Sequence, residues 1–91
     1  MKLQFRASFE RDLRKIRDPA VLGRIAEVVE GARRAGTVME IPGIRRLAVP
    51  VGEGALYRIR VGDYRIGCVV DEDTITFVRC LHRREIYRYF P

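Results

Sequence analysis

Residues 55–81 read ALYRIRVGDYRIGCVVDEDTITFVRCL, and this stretch decides the fold. It is rich in β-branched and aromatic residues, and the dipeptides Gly62-Asp63 and Glu72-Asp73 suit tight hairpin turns. The pattern predicts three antiparallel strands joined in a meander, at about residues 55–61, 64–71 and 74–81. At the second turn a two-residue loop and a three-residue loop remain alternatives. The two loops place Arg79 and Cys80 on opposite faces of the sheet, so the face of each residue is left open.

A two-residue turn at Gly62-Asp63 fixes the register of the first hairpin. Arg60 then lies opposite Arg65, and Arg58 lies opposite Gly67, so that the three arginines share one face of the sheet. The other face is the predicted core face, with Tyr57, Ile59, Ile66, Cys68 and Val70. Like charges on paired strands repel by up to about 1 kcal/mol. The arginines are therefore either fully solvated or arranged around an anion, and the missing side chain of Gly67 leaves a notch where a ligand or backbone could approach.

The first third of the chain predicts a strand followed by a helical hairpin. Residues 2–7 alternate as a strand, and Ser8 is the expected N-cap of a short helix. Asp18 and Pro19 have the residue types of an N-cap and a first helical position, and Gly36 is the expected left-handed C-cap. The apolar stripes of the two helices consist of Phe9, Leu13 and Ile16, and of Leu22, Ile25, Ala26, Val29 and Ala32.

Residues 44–51 predict a further strand between two turns. Pro42-Gly43 and Gly52-Glu53-Gly54 are the turn signals, and Pro50 indicates an edge strand because proline has no N–H to donate. Residues 83–90 predict one or two helical turns. In this last segment the apolar or aromatic side chains expected to pack in the core are Ile86, Tyr89 and Phe90.

These elements predict an α+β fold in a single domain covering residues 1–91. It consists of an N-terminal strand, a helical hairpin, an antiparallel β-meander with about four strands in the sheet, and a short C-terminal helix. The helices are expected on one face of the sheet. A chain of 91 residues with 47% hydrophobic residues has room for one core of this size.

The charge balance points to a polyanionic partner. The chain has 18 Lys and Arg against 12 Asp and Glu, a net charge of +6, and only Lys2 and Lys15 among the cations are lysines. Arginine stays charged at working pH and binds phosphate through two parallel hydrogen bonds. A GC-rich genome would give the same preference for arginine, so composition alone leaves both explanations open.

Several classes of protein are not expected. The first residues lack the apolar run of a signal peptide, and no stretch reaches the ~18 apolar residues of a membrane span. Cys68, Cys80 and His82 do not have the spacing of a metal site, and no phosphate-binding glycine loop is present. The sequence predicts a cytoplasmic protein with reduced thiols, without metal or cofactor and without membrane association.

Two motifs carry a family resemblance. The stretch YRIRVGDYRI at residues 57–66, followed by HRREIYR at 82–88, resembles the RelE/ParE superfamily of toxins from type II toxin–antitoxin modules. The stretch FERDL at 9–13 resembles the first helix of that family, and the first motif is closer to the RelE branch. The resemblance implies a RelE-like fold and an endoribonuclease that enters the ribosomal A site and cuts mRNA. It also implies a cognate antitoxin, through which alone the toxin would contact operator DNA.

The resemblance assigns roles to individual residues. Arg65 matches the arginine that contacts the scissile phosphate, Arg83 matches a basic residue after the last strand, and Tyr87 matches a tyrosine that stacks on the nucleotide or transfers a proton. Arg58 and Arg60 match positions that are lysines in the best-known member, and an arginine cannot serve as a base. The residues expected to bind RNA are Arg58, Arg60, His82 and Arg84.

The implied reaction needs no metal, because the 2′-hydroxyl of RNA can attack the adjacent phosphorus. It requires removal of one proton, stabilisation of charge on the phosphorane, and donation of a proton to the leaving 5′-oxygen. The arginines can stabilise the charge. Tyr87, His82 and Glu85 are the titratable candidates for the proton transfers.

Two other functions remain open at this stage. A ParE-like inhibitor of DNA gyrase would share the scaffold and the basic sheet without nuclease chemistry. A catalytically weak relative could persist as a module that binds the antitoxin and operator. In each case the net charge of +6 predicts an antitoxin whose toxin-binding segment is acidic.

Overall fold

The computed structural model describes residues 1–48 and 54–91, which form five strands and three α-helices in the α+β class that the sequence predicts. A single turn of 3-10 helix lies between the second helix and the second strand. In chain order the elements are β1 (Lys2–Phe5), α1 (Ala7–Lys15), α2 (Pro19–Arg34), the 3-10 turn (Val38–Glu40), β2 (Ile44–Arg46), β3 (Ala55–Val61), β4 (Tyr64–Asp71), β5 (Thr74–His82) and α3 (Ile86–Tyr89).

The sheet has the order β1-β5-β4-β3-β2 within the described residues. Strands β3, β4 and β5 form the predicted antiparallel meander. β1 joins beside β5 in parallel, and β2 pairs antiparallel with β3 at the opposite edge. The sheet therefore has one strand more than the approximate count expected from the sequence, because both short flanking segments join it.

The first hairpin has the predicted register. Arg60 pairs with Arg65 and Arg58 with Gly67, and Gly62 adopts φ 59° in the tight turn. This positive φ is accessible to glycine without steric cost. The three arginines of β3 and β4 consequently share one face of the sheet.

The second hairpin resolves the alternative left open by the sequence. Asp71 pairs with Thr74 across a two-residue turn, and the register then shifts at a bulge between Gly67 and Cys68. Beyond the bulge Gly67 pairs with Arg79 and Ile66 pairs with Cys80. Cys80 thus lies on the core face, while Arg79 is paired with a residue of the arginine-bearing face.

The main core lies between α1, α2 and one face of the sheet. Fully buried side chains from both layers meet there, among them Phe9, Ile25, Ile59, Ile66 and Phe77. The predicted core face is confirmed, with Val70 only partly buried. The predicted stripe of α2 is partly wrong: Val21, Ile25 and Ala32 are buried, whereas Ala26 is exposed because it lies on the solvent side of the helix.

Only one of the predicted helix caps is confirmed. The Asp18 carboxylate accepts a hydrogen bond from the N–H of Ala20 at 2.9 Å, as an N-cap does. The prediction for Ser8 is wrong: α1 begins at Ala7, and the Ser8 hydroxyl donates instead to the carbonyl of Val78 at 2.5 Å.

The predicted left-handed cap at Gly36 is also wrong. α2 ends at Arg34, and the positive-φ glycines in the described residues lie elsewhere. The carboxylate of Glu40 accepts hydrogen bonds from the N–H groups of Gly36, at 2.9 Å, and Thr37, at 2.8 Å. The Glu40 side chain of the following 3-10 turn therefore accepts hydrogen bonds from the backbone N–H groups at the position where a left-handed cap was expected.

The third helix corrects the expectation that the helices share one face of the sheet. α3 packs on the opposite face, where Ile86 and Phe90 are buried against Leu56 in a second, smaller core. The Phe90 ring fills the space above Gly67, so the predicted notch is occupied by the chain itself. Tyr89, expected in the core, is 51% exposed.

β2 is an edge strand, as predicted, but shorter than residues 44–51. Gly43 has φ 77° in the turn before it, which confirms that turn signal. Pro50 and the turn at Gly52-Glu53 fall outside the described residues. None of the described helices is long and apolar enough to cross a bilayer.

Candidate functional site

Four arginines from three adjacent strands share one face of the sheet. Arg58, Arg60 and Arg65 were predicted there, and β2 adds Arg45, which pairs directly with Arg58. We call these four residues, together with Arg83 at the end of β5, the arginine face. Arg45 was missed from the sequence because the pairing of β2 with β3 spans a long connection whose length does not fix a register.

Arg65 is held by the backbone of its own hairpin. Its Nη1 donates hydrogen bonds to the carbonyl of Gly62 at 2.7 Å and to the carbonyl of Tyr64 at 3.0 Å. The guanidinium is thereby oriented at the tip of the hairpin, and among residues 1–48 and 54–91 its other nitrogens have no hydrogen-bond partner.

The environment of Arg65 disfavours its positive charge. Partial burial lowers the pKa of Arg65 most, and neighbouring cations lower it further, while Asp63 opposes the shift. The contributing cations, in order of effect, are Arg60, Arg58 and Arg83. Arg65 is therefore close enough to the other three guanidinium groups to be repelled by each of them, and an anion bound beside Arg65 would relieve that repulsion.

Arg83 is tied to the tip of the first hairpin. Its N–H donates to the carbonyl of Asp63 at 2.8 Å, and its Nε lies 3.9 Å from a carboxylate oxygen of the same residue. The end of β5 is thus fixed beside the turn that carries Arg65. This accounts for the placement of Arg83 with the hairpin arginines.

Tyr87 joins the arginine face through Arg58 rather than Arg65. It lies in α3 with 68% of its surface exposed. Arg58 Nη1 donates a hydrogen bond to the phenol oxygen, and the guanidinium carbon lies 5.1 Å from the ring centroid. The contact holds the exposed phenol oxygen of Tyr87 beside the guanidinium of Arg58.

His82 is not brought to the arginine face. It pairs with Tyr64 on the side of the sheet that faces α1, and the two rings meet edge to face at 5.8 Å. Its Nδ1 accepts a hydrogen bond from the N–H of Arg84 at 3.2 Å. The sequence grouped His82 with Arg83, but alternation along β5 places their side chains differently. Arg84 and Glu85 are exposed in the turn that follows.

A buried carboxylate at the edge of β5 was not found from the sequence. Asp12 of α1 is 4% exposed, and its Oδ2 accepts from the N–H of Cys80 at 2.9 Å. Arg79 donates to both carboxylate oxygens, at 2.8 and 3.1 Å, and the hydrogen bonds to Asp12 raise the pKa of Arg79. On its other side the guanidinium carbon lies 5.3 Å from the ring centroid of Tyr89.

Both thiols lie in the main core. Burial raises the pKa of Cys68 and of Cys80 to about 12, so that neither is ionised near neutral pH. Among residues 1–48 and 54–91, no three His, Cys, Asp or Glu side chains are grouped so that they could hold a metal ion.

The chain is similar throughout its length to known toxins. Residues 3–87 match the family described as "ParE toxin of type II toxin-antitoxin system, parDE". Toxin RelE3 of Methanocaldococcus jannaschii is 38% identical over 92 residues, with all of both chains covered.

Solved structures give the same result. A chain of the RelB-RelE antitoxin–toxin complex from Methanococcus jannaschii superimposes with a TM-score of 0.79 at 35% identity, covering 97% of this chain and 99% of that one. A chain of the archaeal RelE-RelB complex from Pyrococcus horikoshii has the same fold, with a TM-score of 0.73 at 21% identity and coverage of 90% and 93%. The chain therefore belongs to the RelE/ParE superfamily of toxins from type II toxin–antitoxin systems.

Proposed function

We propose that this toxin is a ribosome-dependent endoribonuclease, acting in the cytoplasm as one domain of residues 1–91. It would enter the ribosomal A site and cleave mRNA by attack of a 2′-hydroxyl on the adjacent phosphate, without a metal ion. The single observation that carries the proposal is the contact between the Tyr87 phenol and Arg58, inside a cluster of arginines that also surrounds Arg65.

The arginine face supplies the electrostatic part of this reaction. A phosphorane carries more negative charge than the ground-state phosphate, and one well-placed donor stabilises such a transition state by about 3–4 kcal/mol. Arg58 and Arg83 both lie close enough to Arg65 to affect its charge, so the three residues can donate to neighbouring oxygens of one substrate. We assign Arg65 and Arg83 to the scissile phosphate, and Arg60 with exposed Arg84 to flanking phosphates.

We assign both proton transfers to Tyr87: its phenol oxygen accepts the proton of the 2′-hydroxyl as that oxygen bonds to phosphorus, and the phenol donates a proton to the 5′-oxygen as the P–O5′ bond breaks. An arginine does not exchange protons near neutral pH, so the arginines at positions 58 and 60 cannot replace a general base. The phenol of Tyr87 is exposed, and its oxygen accepts a hydrogen bond from Arg58. His82 is assigned no proton transfer, because it lies across the sheet.

The test is cleavage of mRNA by purified toxin on programmed ribosomes, with the 5′ ends of the products mapped. Arg65→Ala and Tyr87→Phe are each expected to lower the single-turnover cleavage rate by roughly 100-fold or more, consistent with the loss of one transition-state donor or one proton-transfer group. Arg11→Ala removes an exposed cation of α1 and is the matched control. Wild-type rates in both site variants, with normal circular dichroism, would reject the assignment.

We further propose an antitoxin whose toxin-binding segment is acidic and apolar, and through which alone the toxin reaches operator DNA. A cleft of about 560 Å³ between α2 and the end of β3 continues from Arg60. Its floor is apolar, with Val28 and Ile41, and its charged lining consists of three arginines and one carboxylate: Arg24, Arg34, Arg60 and Glu27. Such a cleft complements apolar side chains interspersed with carboxylates.

Binding of the antitoxin tests this partner. The association rate is expected to fall as salt rises from 50 to 500 mM, because exposed charges are screened over shorter distances. A triple Arg58→Glu, Arg60→Glu, Arg65→Glu variant is expected to bind at least about tenfold more weakly. Salt-independent binding together with normal affinity of the triple variant would contradict the acidic segment.

The match to the ParE family supports a second candidate, inhibition of DNA gyrase. That activity does not require the phenol of Tyr87 beside Arg58. Induction of the toxin without antitoxin separates the candidates: cleaved transcripts on ribosomes support the nuclease, and trapped gyrase–DNA complexes support the inhibitor. Normal growth would instead indicate a catalytically weak relative that retains only antitoxin binding.

A further inference from the structure

We propose that Asp12 and Arg79 are positioning residues that hold α3, through Tyr89, in the place where Tyr87 meets Arg58. The proposal rests on the proposed function only for its activity measurement. Its geometric part concerns the position of one phenol ring and can be tested separately.

Arg79 is an unusually fixed cation. Two of its nitrogens donate to the two carboxylate oxygens of Asp12, at 2.8 and 3.1 Å, and this carboxylate is almost fully buried. The N–H of Cys80 also donates to Asp12, so the carboxylate is anchored to the backbone of β5. A planar guanidinium held at two points loses most of its rotational freedom and presents one face in a defined direction.

The ring of Tyr89 lies against this fixed guanidinium. The guanidinium carbon of Arg79 lies 5.3 Å from the ring centroid, within the range of a cation–π contact. Arg79 pairs with Gly67, and Phe90 packs directly on Gly67. Consecutive aromatic residues at the end of α3 therefore rest on two neighbouring positions of the sheet.

α3 depends on these contacts for its position. It has only four residues, and helices of this length do not persist in water without tertiary packing. Ile86 and Phe90 supply the buried packing, and we expect the contact of Tyr89 with Arg79 to limit rotation of the helix about them. Since Tyr87 and Arg58 come from different elements, a small rotation of α3 would separate the phenol from the guanidinium.

A purely structural role for the pair is the competing explanation. Asp12 satisfies an N–H of β5 beyond the end of β1, which protects that edge of the sheet. This task needs Asp12 but not Tyr89. Variants of Tyr89 consequently distinguish positioning of the site from protection of the edge.

The experiment uses the full chain with 3-fluorotyrosine at position 87, observed by fluorine NMR, and nuclear Overhauser contacts between this ring and the Arg58 side chain. Tyr89→Leu is expected to lower the ratio of molecules with the ring on Arg58 to molecules with the ring away from it about two- to fivefold, the range of an exposed cation–π contact. Tyr89→Phe keeps a ring and is expected to retain the wild-type spectrum. Asp12→Asn is expected to change the spectrum in the same direction as Tyr89→Leu.

Cleavage of mRNA on ribosomes is measured with the same variants. Tyr89→Leu is expected to lower kcat by up to about fivefold, in proportion to the lost population, with KM for ribosomes unchanged, because misplacement of a reacting group affects chemistry rather than binding. Tyr89→Phe is expected to have wild-type kcat.

A wild-type fluorine spectrum in folded Tyr89→Leu would overturn the proposal, and so would a Tyr89→Phe variant as impaired as Tyr89→Leu. If Asp12→Asn fails to fold, the two Tyr89 variants still decide. If the wild-type toxin cleaves no mRNA, the proposed function fails, while the fluorine spectra continue to test the position of Tyr87.

Discussion

The substitution Gly67→Ala is expected to dislodge the C-terminal helix from the sheet. A Cβ built at Gly67 would lie 2.5 Å from two atoms of the Phe90 ring and 2.8 Å from a third. Carbon atoms prefer separations of about 3.5–4.0 Å, so the ring would have to move by about 1 Å or leave its site.

The magnitude follows from two opposing effects. Overpacking of a well-packed site costs about 1–3 kcal/mol. Complete expulsion of Phe90, which is 5% exposed, sets a ceiling of similar size, about 1.5–3 kcal/mol for a buried aromatic side chain. Removal of a glycine from a strand interior returns about 0.5–1 kcal/mol. The net loss of stability is therefore about 1–2 kcal/mol, equivalent to a fall in Tm of about 5–15 °C in a domain of this size.

Urea unfolding and thermal unfolding measure this loss, and two further variants test its cause. A Cβ at Gly23 in α2 would meet no atom within 4 Å, so Gly23→Ala should stabilise the protein by about 0.5–1 kcal/mol. In a Phe90→Ala background, Gly67→Ala should no longer destabilise, because the clashing ring is gone. The reasoning is refuted if Gly67→Ala stabilises like Gly23→Ala, or if its cost persists without the Phe90 ring.

Stability and reactivity should change in four further cases. Asp18→Ala removes the N-cap of α2 and should cost about 1 kcal/mol in urea unfolding, whereas Asp18→Asn should cost only a few tenths; equal losses would contradict a capping role. Arg60→Gln should stabilise the fold by a few tenths of a kcal/mol at 20 mM salt and by nothing measurable at 500 mM, since it relieves repulsion with Arg65; destabilisation at both salt concentrations would contradict this. Cys68 and Cys80, with pKa values raised from 9.0 to about 12, should react with a thiol reagent at pH 8 at least about 1000-fold more slowly than in urea-unfolded protein. Because the pKa of each thiol is higher in the folded protein, the protonated thiols stabilise the fold fully below pH 9, and this contribution declines as the pH rises towards 12. The free energy of unfolding should fall by about 1.4 kcal/mol per thiol by pH 10. Cys68→Ala should halve this decline, and a stability that does not change between pH 8 and 10 would contradict the prediction.

The meander could be predicted from the sequence because its pairing is local. A two-residue turn sets the register of each hairpin, and the alternation of residues then determines which side chains share a face. The grouping of Arg58, Arg60 and Arg65 followed directly from Gly62-Asp63. The bulge beside Gly67 has no comparable signal, so the face of Arg79 could not be settled.

Contacts between distant segments could not be predicted in the same way. Asp12 and Arg79 are separated by 67 residues, and neither residue type indicates the other. The pairing of Arg45 with Arg58 and the position of α3 likewise depend on tertiary packing. Ser8 illustrates the same limit. Serine is a common N-cap residue, but here its hydroxyl donates to the carbonyl of Val78 on the distant strand β5.

The order of the strands delays assembly of the site during synthesis of the chain. β1 pairs with β5, so β1 cannot form its hydrogen bonds in the sheet until β5 has been synthesised. The contact between Arg58 and Tyr87 also forms late, because Tyr87 follows Arg58 by 29 residues and comes after the whole meander. A nascent chain that has not extended past residue 87 thus carries the guanidinium groups without the phenol, and the proposed activity arises only when translation of the domain is almost finished.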